Sequence, residues 1–303
     1  MNAAMLKFPA REVLALGIWI VCASLIEAQE APRFLEPWGA MFAEETAVFH
    51  VQAAVAPAGW SLALSGAVVA RGETPTIEQT FPALRNGLAV EGVLTAETSQ
   101  GRIQKPLWLF SRKPDFPSME KLLVFDPIGA TVSMLELNGI PFQPVRSVDE
   151  LTGAARGVVL VGEGISTDEY KGMAAVLADS ASRGARILWL APGEGRMVLP
   201  GGEGAVSLGF RDAAVVVATD KRLKPEDWRE RKAVTSSFRL VGDRRIVEME
   251  WSANGMGWCW MEARWASGGR LVICGLSIVE SWEDNPAPRY LLAQWLADLN
   301  KQQ

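Results

Sequence analysis

The stretch from Lys121 to Gly195 restricts what this chain can fold into more than any other part. It holds three unbroken apolar runs of strand length, Leu122–Phe125, Val158–Val161 and Ile187–Leu190, with helical patterns between them. Such runs suit strands buried on both faces, as in a parallel sheet covered by helices. After the first run, Thr131–Asn138 predicts a helix that Gly139 stops. Ile140–Val145 then predicts a second strand, confined to an edge by Pro141 and Pro144. Ser147 caps a short helix after it. Between the second and third runs, Thr167 caps a helix whose Tyr170, Met173, Ala174, Leu177 and Ala181 share one face, and Gly184 ends it. This β-α alternation predicts an α/β domain over residues 120–303, with a flavodoxin-like, doubly wound, mainly parallel sheet and right-handed crossovers.

Past Gly195 the rhythm loosens. Met197–Gly204 reads as a loop, Ala213–Thr219 as a strand and Lys224–Trp228 as a short helix. Arg245–Trp251, Met256–Trp265 and Arg270–Ser277 follow with no helix between them, which predicts an antiparallel extension of the sheet. A last helix starts at Asn285-Pro286, with proline in the permitted first turn. Upstream, residues 32–112 carry short runs at Ala47–Ala53, Ser61–Ala70, Thr76–Phe81, Leu88–Glu97 and Lys105–Phe110, punctuated by Gly59, Gly72, Asn86-Gly87 and Gly101. That spacing predicts a small β-sandwich of immunoglobulin-like size, with Trp60 and Trp108 in its core. Residues 113–119, with Pro114 and Pro117, form the linker.

The first 28 residues follow the plan of a secretory signal peptide. Lys7 and Arg11 precede an apolar run, Val13–Ile26, and a small-residue end at Glu27-Ala28-Gln29. The run is shorter than the roughly 20 residues of a membrane span. Cleavage near Ala28 puts the mature chain in the periplasm or outside the cell, free of the membrane; an uncleaved N-terminal anchor is the alternative. Val21 ahead of Cys22 argues against lipidation. A net charge of −5 excludes nucleic acid as the main partner, since that would call for a basic face.

The turns that end the three apolar runs are Asp126-Pro127, Gly162-Glu163-Gly164 and Ala191-Pro192-Gly193. In an α/β sheet these turns hold the ligand or the chemistry. Asp126, Glu163 and Glu194 should therefore share one edge. They could line a pocket for a cation or for sugar hydroxyls, or serve as acid and base at a glycosidic bond. Equally, they could cap helix N-termini. Neither glycine turn completes a nucleotide-binding motif, and an acidic turn repels phosphate, so no cofactor is expected. Without any CxxC, no cysteine metal site is expected either.

Trp258 and Trp260, two apart on one predicted strand, face the same side. They either stack on sugar rings or pack in the core. Cys259 and Cys274 lie on consecutive predicted strands; an oxidising compartment permits a disulfide if the register sets them opposite, and otherwise they are buried thiols. His50, the only histidine of the chain, alternates with apolar neighbours in the first domain and reads as hydrogen-bonded or half exposed. Arg229-Glu230-Arg231-Lys232 reads as a solvated charge run.

Leu122-Leu123-Val124-Phe125-Asp126-Pro127, Val159-Leu160-Val161-Gly162-Glu163-Gly164, Asp220-Lys221-Arg222-Leu223 and Gly269-Arg270-Leu271-Val272-Ile273-Cys274-Gly275-Leu276 carry a resemblance. Together with Asn285-Pro286-Ala287-Pro288-Arg289 and the final helix, they resemble the class I glutamine amidotransferase-like fold over Lys121–Leu299. The likeness is to the non-catalytic versions found in beta-galactosidase trimerisation domains and secreted planctomycete-type proteins. Active relatives place a Cys nucleophile on the sharp turn after a central strand, served by a downstream His and Glu. The matching turn here, Ala191-Pro192-Gly193-Glu194, has no nucleophile, and His50 lies in the other domain. The resemblance thus implies no catalytic residues and an exported interaction, assembly or ligand-binding protein. Partners would be protein or a second copy, with a carbohydrate connection. The alternative is a glycan-acting hydrolase using the strand-end carboxylates.

Overall fold

The computed structural model describes residues 30–119, 121–153, 157–199, 205–242, 247–253 and 257–301. The segment read as a signal peptide lies outside them. The first domain stacks two sheets. One is antiparallel and contains β1 (Arg33–Phe34), β3 (Thr46–Gln52) and β6 (Thr76–Thr80) in the order β1-β3-β6. The other contains β2 (Ala40–Phe42), β4 (Gly59–Leu64), β5 (Ala67–Gly72), β7 (Ala89–Thr98) and β8 (Gly101–Phe110) in the order β2-β8-β7-β4-β5. Together they are an immunoglobulin/fibronectin-III-like sandwich around Phe49, Leu62, Ile77, Leu94 and Leu109. Alternation along β3 drives this, because Ala47 and Phe49 turn inward while Val48 and His50 stay exposed. The predicted strand Ser61–Ala70 is instead the β4–β5 hairpin. Ser65 and Gly66, at φ 47° and 82°, make its two-residue turn between the paired Leu64 and Ala67.

The second domain runs through β9 (Leu122–Phe125), α1 (Ala130–Leu137), β10 (Gln143–Val145), α2 (Val148–Leu151), β11 (Val158–Val161), α3 (Met173–Ser182) and β12 (Arg186–Leu190). It continues with β13 (Gly195–Val198), β14 (Ala205–Arg211), α4 (Val215–Thr219), a 3-10 turn (Pro225–Trp228), β15 (Ser237–Gly242), β16 (Val247–Ser252), β17 (Trp260–Trp265), β18 (Arg270–Cys274) and α5 (Pro286–Asn300). The main sheet has seven strands in the order β10-β9-β11-β12-β18-β17-β14. The first five are parallel and follow the second-first-third-fourth-fifth order of a flavodoxin-like sheet. Successive residues feed opposite faces. Val124, Leu160, Leu188 and Leu190 pack with Leu291, Leu292 and Leu296 of α5. Phe125, Val161, Ile187 and Trp189 pack with Met173, Leu177 and Ala181 of α3. Both faces are therefore covered, as the unbroken apolar runs require.

Several local expectations are corrected. Ala213–Thr219 is helical from Val215, because the Asp212 carboxylate accepts the Ala214 N–H at 2.9 Å and starts a turn, and Val215 and Val216 then bury. Period alone cannot separate helix from strand over so short an apolar run. Within Met197–Gly204, Met197 and Val198 belong to β13, paired with Met249 and Glu248 of β16. The expected antiparallel extension is split. β18 is the fifth parallel strand, β17 and β14 are antiparallel, and β16 joins β13 and β15 in a separate three-stranded sheet. Thr167 does not cap α3, whose N-cap is Gly172 at φ 84°. Its hydroxyl oxygen instead accepts the Arg196 N–H at 3.1 Å, fixing the entry to β13.

The two domains share a core. Ala40 and Phe110 of the sandwich lie in the same buried cluster as Trp228, Tyr290 and Leu291. Tyr290 Oη and Ser111 Oγ are 2.8 Å apart, and Arg289 Nη1 donates to the Arg112 carbonyl at 2.7 Å. Arg222, paired with Asp220 at 2.6 Å, stands 5.2 Å from the Phe110 ring centroid.

Candidate functional site

The C-terminal edge of the parallel strands holds the three carboxylates that the sequence singles out. Asp126, Glu163 and Glu194 do follow adjacent strands, β9, β11 and β12. Asp126 Oδ2 accepts the Val132 N–H at 2.9 Å, in the first turn of α1, a helix whose own N-cap, Gly129, offers no side chain. Asp126 Oδ1 is buried without a hydrogen-bond partner among the described residues and lies against Gly162, where an added Cβ would fall 2.6 Å from it. Gly162 is thus the residue that admits this carboxylate.

Glu163 reaches the other way. Its Oε2 accepts the Val279 N–H at 2.6 Å, tying β11 to the loop after β18, and its own N–H donates to Thr131 Oγ1 at 3.1 Å. Burial pushes its carboxyl up to about 7, against the backbone N–H of Val279, which favours the ionised form. Glu194 sits at the rim with an exposed side chain, and its carbonyl accepts Ser166 Oγ at 2.7 Å.

The turns themselves are laced together. Gly162 N–H donates to Phe125 O at 2.9 Å, Gly164 N–H to Ala191 O at 2.8 Å and Gly193 N–H to Ile165 O at 3.0 Å. Gly193 approaches so closely that a Cβ there would stand 2.7 Å from the Gly164 carbonyl. At the end of β12, Ala191 adopts φ 23°, a left-handed conformation that costs a residue bearing a Cβ. Its N–H donates to Cys274 O at 2.6 Å and its side chain is buried. Asp126, Glu163 and Glu194 do not line the cavities beside α5, between the domains, beside α1 or beside Trp258.

Trp258 and Trp260 do not share a strand. Trp258 bridges Phe238 of β15, at the small sheet, whereas Trp260 opens β17 after a bend at Cys259. Trp258 is 37% exposed and packs on Phe210 at 4.8 Å; Trp260 is 5% exposed and packs on Trp295 at 5.0 Å. They therefore border different depressions. The cysteines are also out of register. Trp260, not Cys259, pairs with Cys274, and both thiols are free and buried. Burial pushes Cys259 up to about 12 and Cys274 well above the ordinary thiol range. His50 is exposed on β3, with Nδ1 2.8 Å from Glu36 Oε1.

Two of the cavities among the described residues bring together side chains that the sequence reading did not. One, of about 870 Å³, lies between the domains beside Trp38, Phe42, Arg112 and Arg229. Its charges are largely satisfied: Arg229 pairs with Glu45 and Arg231 with Glu280 and Asp284. The other, of about 400 Å³, lies between α5 and the antiparallel end of the main sheet. Trp260, Glu262 and Arg264 of β17 reach it, while Met261, Ala263 and Trp265 face the opposite core. That alternation is visible in the sequence, but which face is left partly uncovered depends on where α5 ends.

No family model and no curated protein matches this chain. Similar solved structures include the fibronectin(III)-like modules of Clostridium thermocellum CbhA, at 13% identity over 28% of this chain and 100% of that one, with a TM-score of 0.21. The titin z1z2 domains in complex with telethonin align at 12% identity over 82% of this chain and 95% of that one, TM-score 0.23. Bacteroides uniformis beta-glucuronidase 3 aligns at 11% identity over 31% of this chain and only 13% of its own length, TM-score 0.22. Likenesses this distant carry no argument. By its own topology the chain is a two-sheet β-sandwich followed by an α/β domain with a mainly parallel seven-stranded sheet.

Proposed function

We propose that this is an exported, non-catalytic protein in which an amidotransferase-like α/β domain serves assembly, in a carbohydrate-related setting. Ala191 carries the proposal. It holds the strained turn after β12, where the active enzymes of the resembled fold carry their nucleophile, and it offers a buried methyl group. No thiolate or alkoxide can form there, and neither His50 nor any other histidine is at hand to activate one. Backbone hydrogen bonds of Gly164, Ala191 and Gly193 tie the turns at this edge to one another.

Assembly has a surface to use. β14 is the last strand of the main sheet, and it exposes Val206 (69%) and Leu208 beside unpaired backbone groups. β14 carries no proline, and an exposed apolar edge of this kind is a template for a second strand. Light scattering of the mature chain tests self-association. A dimer or larger species, reduced to monomer by Val206→Lys with Leu208→Lys, supports the proposal; a monomer at all concentrations sinks it.

One observation favours a second reading, a glycan-acting hydrolase. Glu163, with its carboxyl near 7, has the protonation range of a general acid. Hydrolysis of a polysaccharide panel that disappears in Glu163→Gln would establish that activity in place of the non-catalytic role.

A further inference from the structure

The cavity between α5 and the antiparallel end of the main sheet has an uneven charge balance. Arg211, Arg264, Arg270 and Lys301 line it against only Glu262 and Asp298. Glu262 is shared by Arg264 at 2.6 Å and Arg270 at 2.8 Å, and Asp298 by Arg270 at 2.6 Å and Lys301 at 3.7 Å. Three cations thus use up both carboxylates. Arg211 is left without an ion-pair partner among the described residues, although its strand position, opposite Trp260, holds it at the cavity wall. An excess of two positive charges sits in a concave site of a chain whose net charge is −5. Low-dielectric walls concentrate such a field and draw anions to it.

The remaining wall is mostly apolar, and Trp260 and Trp295 are its largest side chains. Trp260 and Trp295 lie with ring centroids 5.0 Å apart, and Trp295 is held in place by its Nε1 donating to Thr219 Oγ1 at 3.1 Å. The volume of about 400 Å³ lies within the roughly 300–1,000 Å³ typical of small-molecule sites. The cavity also has two unlike ends. Near Asp298, the carbonyls ending α5 carry partial negative charge and repel an anion. Near Arg211, no acidic cavity residue neutralises the guanidinium, whose planar fork matches a carboxylate.

We propose that this cavity binds a small organic anion, a carboxylate carried on a six-membered ring, with the carboxylate on Arg211 and the ring against the Trp260–Trp295 wall. A hexuronate and an aryl carboxylate both answer to that description. The site goes beyond the assembly role and does not depend on it, since β14 can pair through its free edge whether or not the cavity is filled.

Isothermal titration of the mature chain with sodium glucuronate and sodium benzoate, each against its neutral counterpart glucose or benzamide, tests the site. Saturable binding of one carboxylate is expected, with no heat from its neutral partner, and the preferred carboxylate distinguishes sugar acid from aryl acid. Arg211→Gln removes an exposed side chain that makes no ion pair, so the fold is retained, as circular dichroism will check. It should weaken binding about tenfold or more, and Arg211→Lys, which keeps charge without the fork, should fall between the two. Null heats for both carboxylates, equal binding of the neutral compounds, or an unchanged affinity in Arg211→Gln would each overturn the proposal.

Discussion

The carboxylate of Asp227, completely buried in the α/β domain, accepts the N–H of Gly39 in the sandwich at 2.8 Å. The same oxygen accepts the Ala40 N–H at 2.9 Å, and the other takes the Lys224 N–H at 2.8 Å. Three backbone donors that would otherwise be stranded at a domain interface are satisfied by one side chain. Gly39 is required in turn, because a Cβ there would stand 2.9 Å from the Pro106 carbonyl.

Asp227→Ala should therefore cost about 3 kcal/mol, since buried donors lose their acceptor and nothing replaces it. Asp227→Asn, which keeps one acceptor oxygen, should cost less. Urea denaturation measures both. Two separate unfolding transitions in Asp227→Ala would show that this carboxylate couples the domains, and wild-type stability in that variant would show that it does not.

Glu163 makes stability depend on pH in an unusual direction for a carboxylate. Its folded value, about 7, lies above the ordinary 4.5, so the folded state binds the proton more tightly than the unfolded state does. The stabilisation is complete below about pH 4.5 and is lost as the pH rises through about 7. At about 1.4 kcal/mol per unit, the loss is on the order of 3 kcal/mol. Glu163→Gln stays neutral and can still accept the Val279 N–H, so it should flatten this part of the profile. Parallel slopes for the two proteins between pH 5 and 8 in thermal melts would contradict that role (about one histidine-sized titration is the signal sought).

The free thiols make a chemical prediction. With Cys259 pushed up to about 12 and Cys274 well above the ordinary thiol range, both by burial, almost no thiolate exists at neutral pH. Alkylation of the native protein should be blocked at both positions and become complete on unfolding. A reductant-dependent change in mass would instead reveal a bridge absent from this register.

Two adjacent glycines in the β17–β18 turn should respond differently to alanine. At Gly269 a Cβ would fall 1.7 Å from the Ala181 carbonyl at the end of α3, so Gly269→Ala must push the helix off the turn and should cost about 2–4 kcal/mol. At Gly268 there is open space, and only the positive φ of 83° resists, so Gly268→Ala should cost about 1 kcal/mol. Equal losses would show that backbone conformation, and not the close approach, governs this turn.

How legible the site was depended on the distance over which its signals act. The positions of Asp126 and Glu163 at strand ends followed from the apolar runs before them. Their partners did not, because Val279 lies 116 positions from Glu163 and only the return of β18 brings it near. The two-apart spacing of Trp258 and Trp260 was sound strand logic, but the bend at Cys259 hands the two residues to different sheets. The Arg211 cavity was hidden for a similar reason. Its period-2 pattern marks a two-faced strand without saying which face stays wet.

By itself, the sequence determined the layer plan. Unbroken apolar runs separated by helix signals demand a parallel sheet covered on both sides, and short alternating runs demand a sandwich, because each pattern has only one way to bury its apolar residues. It also determined that the turn after β12 carries Ala191 and no nucleophile. Only the tertiary structure decided that this turn is strained, that Asp126 and Glu163 each accept a backbone N–H, and that Arg211, without an ion-pair partner among the described residues, lies on the edge strand β14. Those outcomes rest on long-range packing and charge pairing, in which the energy of each group depends on neighbours that no local pattern specifies.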